Sequence, residues 1–427
     1  MSLLPLLLLF YATLLPPEVR LNLLGQTLYA PRIVTLLLLP WIIRKLAMGR
    51  LQIRLPDYLV FVAAIWMIVS LIAFYDFSTG IIRGSALAFD VVAGYLIARL
   101  SIRNGTDFLR FLILIIPGVL AVGLIMMTES ITHRHIIRYL AADLFGPLAV
   151  YVDGNEIGLM SEFRTEIRLG LMRAGGPFSH PILGGLFLAS MLPIYFNSGL
   201  RRWPLWIGIA LGFFAIFSGS SAAILALIIS AGLLGYDWVQ KRVELLDWRK
   251  FLIAATAALT GLHLVSQNGL ISFLLRYTLD PQTGQFRLLI WEYGVRSVQK
   301  HPLIGIGYTD YERALWMPPT VDNHWLMLGI RHGLITPVLL ALAVGLIILR
   351  LSRMSRNQSE IGRRFYVGIA ISLAVFAIMG FTVAFFGSVQ YWFYILLGAG
   401  MSLCIPRSVD PAFSRPSAAP REFALAR

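Results

Sequence analysis

Residues 108–128 read FLRFLILIIPGVLAVGLIMMT, an apolar run with a single charge, Arg110. A bilayer's hydrocarbon core, about 30 Å thick, is crossed by roughly 20 apolar residues wound as a helix. In lipid only helices and closed barrels satisfy every backbone polar group. Outward from this run, similar stretches bounded by charges, Pro and Gly recur at about 3–17, 28–47, 57–75, 82–100, 180–197, 203–219, 221–239, 251–267, 322–349, 365–385 and 388–405. The whole chain of 427 residues is 58% hydrophobic and 14% charged, whereas soluble domains run near 45–50% and about 25%. These proportions exclude a cytosolic globular enzyme, a disordered chain and a fibrous repeat. The expected fold is an all-α polytopic membrane protein with about twelve transmembrane helices.

The runs divide the chain into blocks. Helices 1–5 occupy 1–128, a long loop 129–179, helices 6–9 residues 180–267, and a second long loop 268–321. Helices 10–12 follow at 322–405. A tail at 406–427, rich in Pro, Ser and Ala, is expected to be disordered. The first run lacks a basic start and an Ala-x-Ala cleavage site, so it reads as a retained helix. Both long loops carry Trp, Tyr, Phe, Leu and Ile, which suits ordered structure at the membrane surface.

Lys and Arg number 36 against 22 Asp and Glu, for a net charge of +14. With an inside N-terminus, the cytoplasmic loops collect Arg44, Lys45, Arg50 and Arg54; Arg99, Arg103 and Arg110; Arg201 and Arg202; Lys241, Arg242, Arg249 and Lys250; and Arg350, Arg353, Arg356, Arg363 and Arg364. The tail adds Arg407, Arg415, Arg421 and Arg427. The positive-inside rule then places both termini in the cytoplasm. It explains the basic balance without nucleic acid. The lone Cys404 excludes an internal disulfide and a thiolate metal cluster. No metal-ligand spacing and no nucleotide phosphate loop is visible, so no cofactor is expected.

Basic residues on the outer side need another explanation. Arg164, Arg168 and Arg173 fall in the first long loop, and Arg276, Arg287, Arg296, Lys300 and Arg313 in the second. An arginine fork matches phosphate oxygens, so an outer cavity lined by Arg suits a lipid-linked diphosphate. The competing explanation is pairing with Glu156, Glu162, Glu166, Glu292 and Glu312.

Residues 284–298 read as a helix, with Arg287 and Trp291 on one face. His301-Pro302 ends it, and Gly305-Ile306-Gly307 is a turn whose N–H groups are able to face an anion. Arg173 and His180 flank a tight Gly175-Gly176-Pro177 entry to the sixth run. Asp322-Asn323-His324 opens the tenth, which also holds Arg331 and His332. An N-cap accounts for Asp322 or Asn323, but four ionisable groups on one membrane helix mark a functional site. Asp322 is the expected general base, with His324 competing. Asp90, within the fourth run, is expected to pair with Arg83 or Arg99.

Arg287-x-x-x-Trp291, then His301-Pro302-Leu303-Ile304-Gly305-Ile306-Gly307, Asp322-Asn323 and Gly333-Leu334-Ile335-Thr336 resemble the O-antigen ligase and O-antigen polymerase superfamily. Gly176-Pro177-Phe178-Ser179-His180-Pro181 fits as well. The resemblance implies a GT-C-like, metal-independent, inverting glycosyltransferase of the bacterial inner membrane with its site facing the periplasm. It implies an undecaprenyl-diphosphate-linked glycan donor and a sugar acceptor, either a glycan or a lipid A-core. Membrane lipids and other polysaccharide-assembly proteins are the further partners it suggests. It implies that Arg287 contacts the diphosphate and that the residue before Asn323, here Asp322, helps activate the acceptor hydroxyl. Arg173, His180, Trp291, Arg296, His301, Arg313 and Asn323 are the further candidate residues for binding diphosphate or glycan. Two positions depart from the family: Asp-Asn stands where ligases carry His-Asn, and Ser220-Ser221-Ala222 where many relatives carry Ser-Arg-Gly. A lipid-linked oligosaccharide or polysaccharide transporter is the alternative reading, and a non-catalytic assembly partner a third.

Overall fold

The computed structural model describes residues 3–23, 26–152, 155–159, 165–168, 170–243, 248, 250–251, 253–254, 257, 281–356 and 358–405. In chain order the helices are α1 (Leu4–Thr13), α2 (Ala30–Ala47), α3 (Leu55–Phe74), α4 (Phe77–Ser101), α5 (Gly105–Thr132), α6 (Ile137–Phe145) and α7 (Pro181–Phe196). Then come α8 (Trp203–Phe213), α9 (Ser221–Gln240), α10 (Pro281–Lys300), α11 (His324–His332), α12 (Ile335–Arg356), α13 (Glu360–Met379) and α14 (Ser388–Leu403). Three two-stranded antiparallel hairpins are the described strands: Arg20–Leu23 with Gln26–Tyr29, Ala149–Val152 with Asn155–Leu159, and Ile167–Arg168 with Leu171–Met172.

This is a predominantly helical membrane protein. α3, α4, α5, α9, α12 and α13 are long and apolar enough to cross a bilayer, and α1, α7 and α8 are shorter apolar helices. The run expected at 251–267 and the tail at 406–427 lie largely or wholly outside the described residues, as do Arg164, Arg276 and His263.

Two expected boundaries fall differently. The first run is helical only to Thr13, because Pro16-Pro17 forbids continuation. The tenth, read as one span over 322–349, is broken. α11 ends at Gly333, whose φ of 73° and ψ of 179° suit glycine alone, and α12 begins at Ile335. A helix broken inside an apolar run must find donors for its last carbonyls. Here Ile306 N–H donates to Ile330 O at 2.8 Å and Gly307 N–H to Arg331 O at 3.2 Å. The indole N–H of Trp66 donates to His332 O and to Leu303 O, each at 3.1 Å. The turn at 301–307 therefore closes the end of α11. Its glycine N–H groups are spent on protein carbonyls, Gly305 N–H on His301 O included, and the expected anion-facing turn is not formed.

The bundle packs around α4, α7, α13 and α14, whose buried side chains join one core running from Leu6 to Ile405. A smaller core seats α10 on α11 through Ile290, Val298, Leu326 and Ile330. Two aspartates inside the bundle are paired. Asp57 accepts from Arg99 at 3.0 Å and from Tyr95 Oη at 2.6 Å, with both charged side chains fully buried. Asp90 pairs with Arg32, not with Arg83 or Arg99, through bonds of 2.9 and 2.5 Å, and accepts from Tyr391 Oη at 2.6 Å. The partner comes from α2, which local spacing along α4 cannot reveal.

Contacts group the helix ends into two sets. At one end Glu18 pairs with Arg138 at 2.6 Å, Tyr308 N–H donates to Tyr75 Oη at 2.8 Å, and Asn323 Nδ2 donates to Phe381 O at 2.9 Å. At the other, Arg363 pairs with Asp237 at 2.9 Å and Lys241 with Glu360 at 2.6 Å. The described parts of the long loops, α10 and all three hairpins belong to the first end.

Candidate functional site

At the end carrying the long loops, a cavity of about 990 Å³ opens between α4, α7, α11 and the 307–321 segment, with 382–386 closing one side. Its walls include Arg83, His180, Asp310, Asp322 and Arg331. A second cavity of about 390 Å³ shares the wall of Met327, Arg331 and Phe386 and carries Asp90, His324 and His332.

The entry to α7 is built from Glu129 at the end of α5. Its buried carboxylate accepts from Ile136 N–H at 2.8 Å and from Gly176 N–H at 3.0 Å. This holds the Gly175-Gly176-Pro177 turn against α5 and delivers His180 to the cavity rim. His180 caps α7, its Nδ1 accepting from Ile182 N–H at 3.2 Å. Arg173, on the hairpin before this turn, is buried and pairs with Glu166. Burial alone would raise the Glu166 carboxyl, but the hydrogen bond and charge of Arg173 hold it below its usual range.

Asp322 lies at the cavity wall and makes no hydrogen bond or ion pair among the described residues. Its charge acts on His180 and on Arg287. Arg287 projects from the first half of α10 and is 8% exposed, its Nε without a partner and its guanidinium without an ion pair among the described residues. Burial lowers its hold on its proton; Asp322 opposes this, and Arg168 and Arg173 add to it. A buried cation without an ion pair is costly, and the two arginines whose charge reaches this one, Arg168 and Arg173, share the single carboxylate of Glu166.

The structure thus gathers Arg173, His180, Arg287 and Asp322. The other expected residues stand elsewhere. Asn323 is the N-cap of α11: its Oδ1 accepts from Leu326 N–H and its Nδ2 donates to Phe381 O, each at 2.9 Å. Its amide is consumed by the fold. His324 is buried, stacked on Phe385 at 4.4 Å, and faces the smaller cavity. Trp291 stacks on Phe381 at 6.2 Å and lines an apolar groove of about 570 Å³ between α10, α11, α12 and α13. Arg296 pairs with Glu292 at 2.5 Å on the exposed face of α10, and Arg313 pairs with Asp310 at 2.7 Å. His301 is exposed at the end of α10.

Arg83 is the cavity residue that spacing missed, because the sequence offers Asp90 as its partner. Arg331 was visible as a charge within an apolar run, but its cavity was not.

A family model described as O-Antigen ligase matches residues 206–339. The matched stretch is less than half of the chain and includes Arg287, Asp322 and Arg331; Arg83, Arg173 and His180 lie before it. The match bears out the resemblance to the O-antigen ligase and polymerase superfamily. No curated protein matches the chain.

Proposed function

We propose that this chain is an inner-membrane glycosyltransferase of the O-antigen ligase or polymerase type, moving a glycan from undecaprenyl diphosphate onto an acceptor sugar at the periplasmic face. The carrying observation is Arg287, a buried cation that makes no ion pair among the described residues, acted on by the charge of Asp322, whose carboxylate makes no hydrogen bond among them. In this reading the bundle has about twelve spans. The basic loops around Arg44, Arg201, Lys241 and Arg353 face the cytoplasm, in keeping with their place opposite the cavity end.

The reaction is one inverting displacement that needs no metal. The acceptor hydroxyl oxygen bonds to the anomeric carbon while the carbon–oxygen bond to the diphosphate breaks, its electron pair leaving with the phosphate. Asp322 takes the hydroxyl proton. Arg287, with Arg173 beside it, offsets the charge gathering on the leaving group, and the preformed cavity holds the two reactants together. The groove past Trp291 and Phe381, almost wholly apolar, suits the polyprenyl chain.

Transfer in proteoliposomes containing lipid-linked donor and acceptor tests the reading. Arg287→Ala and Asp322→Asn are each expected to lower transfer by about 10²–10³-fold. Full transfer by both variants overturns it, and movement of the lipid-linked glycan across the bilayer without transfer favours a transporter.

A further inference from the structure

The cavity wall itself carries two arginines, Arg83 and Arg331, apart from the Arg287 and Arg173 pair already assigned. Arg331, near the end of α11, stands 4.6 Å from the centroid of the Tyr308 ring. Arg83, in the second turn of α4, stands 5.7 Å from the same ring and 5.1 Å from that of Tyr75. Neither makes a side-chain hydrogen bond or an ion pair among the described residues. The one carboxylate on α4, Asp90, is committed to Arg32 and Tyr391. Of the carboxylates on the cavity wall, Asp310 is held by Arg313, and the charge of Asp322 acts on His180 and Arg287.

Tyr308 is held in place by its own N–H, which donates to Tyr75 Oη at 2.8 Å, so the aromatic surface between the two cations is built and not adventitious. Ring faces attract guanidinium groups but leave their forked N–H donors free. Two such forks in one cavity repel each other until an anion enters. The cavity, about 990 Å³, is at the upper end of ordinary ligand sites, about 300–1,000 Å³. It has room for more than one sugar ring.

We propose that Arg83 and Arg331 form a subsite for a carboxylate-bearing sugar, a uronic acid within the transferred or accepting glycan, so that this protein selects acidic glycans. The inference rests on the cavity being a glycan-transfer site and names the substrate class. The carboxylate takes bidentate hydrogen bonds from one or both forks, while Tyr75 and Tyr308 offer flat faces to the adjoining ring.

The test uses purified full-length protein in lipid nanodiscs. Calorimetric titration compares a glucuronic-acid-containing disaccharide with its carboxyl-reduced, neutral counterpart. The wild type is expected to prefer the acidic probe at least tenfold at low salt, with the preference shrinking as salt rises. Arg83→Gln with Arg331→Gln is expected to bring the acidic probe down to the affinity of the neutral one. Equal affinity for both probes in the wild type overturns the proposal without relying on any variant, and so does a preference that survives in the double variant. Pyrophosphate titration separates this subsite from the diphosphate site. Pyrophosphate titrated directly that loses its affinity in the double variant but keeps it in Arg287→Ala would make the pair the diphosphate clamp and also overturn the proposal. Acid preference with no transfer from any donor would instead count against the transferase reading alone.

Discussion

A Cβ placed on Gly333 would lie 2.0 Å from the carbonyl oxygen of Leu303. The break between α11 and α12 and the turn after α10 are therefore in backbone contact, with Leu334 N–H donating to Pro302 O at 2.8 Å. This contact fixes where Arg331 and Tyr308 stand relative to each other. Gly333→Ala must adopt a backbone conformation reserved for glycine, which costs about 1–3 kcal/mol, and must also push the turn away. The expected outcome is a lower melting temperature in detergent and a larger loss of transfer than of folded protein. Fluorescence-detected size exclusion after heating, run beside the transfer assay, checks it.

The ion pair of Asp57 and Arg99 lies at the opposite end of the bundle, fully buried and joined by Tyr95. Removing one member strands a charge, at a cost of about 3–5 kcal/mol, whereas replacing both with apolar residues of similar volume is often neutral. Asp57→Leu is expected to abolish folded protein or lower its melting temperature sharply. Asp57→Leu with Arg99→Met is expected to recover much of that loss. Recovery absent in the double variant would mean that Arg99's further bond to Gln52 O, at 2.9 Å, outweighs the pair.

How legible the molecule is in its sequence follows from the range of each interaction. Apolar runs between charges mark α3, α5 and α13 because lipid exposure is a local property of the chain. The surface pairs of Arg296 with Glu292 and Arg313 with Asp310 span four and three residues, so the loop glutamates and aspartates foretell their kind. The break at Gly333 is silent in composition, since it depends on a turn that arrives from residues 301–307. Asp90 is misread for the same reason: Arg83 and Arg99 are near in sequence, but Arg32 is near in space. Asp322 and Arg287 are recognisable as unusual charges. The reach of Asp322's charge to Arg287, and the placement of Trp291 and His324 away from the Asp322 cavity, depend on how α10 lies across α11.

The pairing of Glu166 with Arg173 makes part of the stability pH-dependent. The folded carboxyl titrates below its ordinary value because Arg173 overrides the effect of burial. Such a group contributes stability that is fully present above the unfolded carboxyl pKa, about 4.3, and is lost as pH falls through the lower folded value. Glu166 is half exposed, so the contribution is small. The melting temperature of Glu166→Gln is expected to lie slightly below that of the wild type at pH 6 and to converge with it near pH 3. A difference that widens on acidification would reverse the assigned sign.

The apolar groove makes a prediction about the lipid end of the donor. Gly345, on α12, lines it, and a Cβ added there meets nothing within 4 Å. Gly345→Phe therefore places its ring in the groove without disturbing the packing of α12. If the polyprenyl chain lies there, the ring displaces tail contact. About 60 Å² of lost apolar contact at roughly 25 cal/mol per Å² is about 1.5 kcal/mol, or tenfold in binding. The donor's KM is expected to rise about that much while kcat changes little, since the ring is remote from Asp322 and Arg287. A donor with its polyprenyl chain shortened to two or three isoprene units is expected to be affected much less, having no tail to displace. Equal effects on long and short donors would place the chain outside the groove, and unchanged kinetics for both would leave the groove filled by bilayer lipid alone.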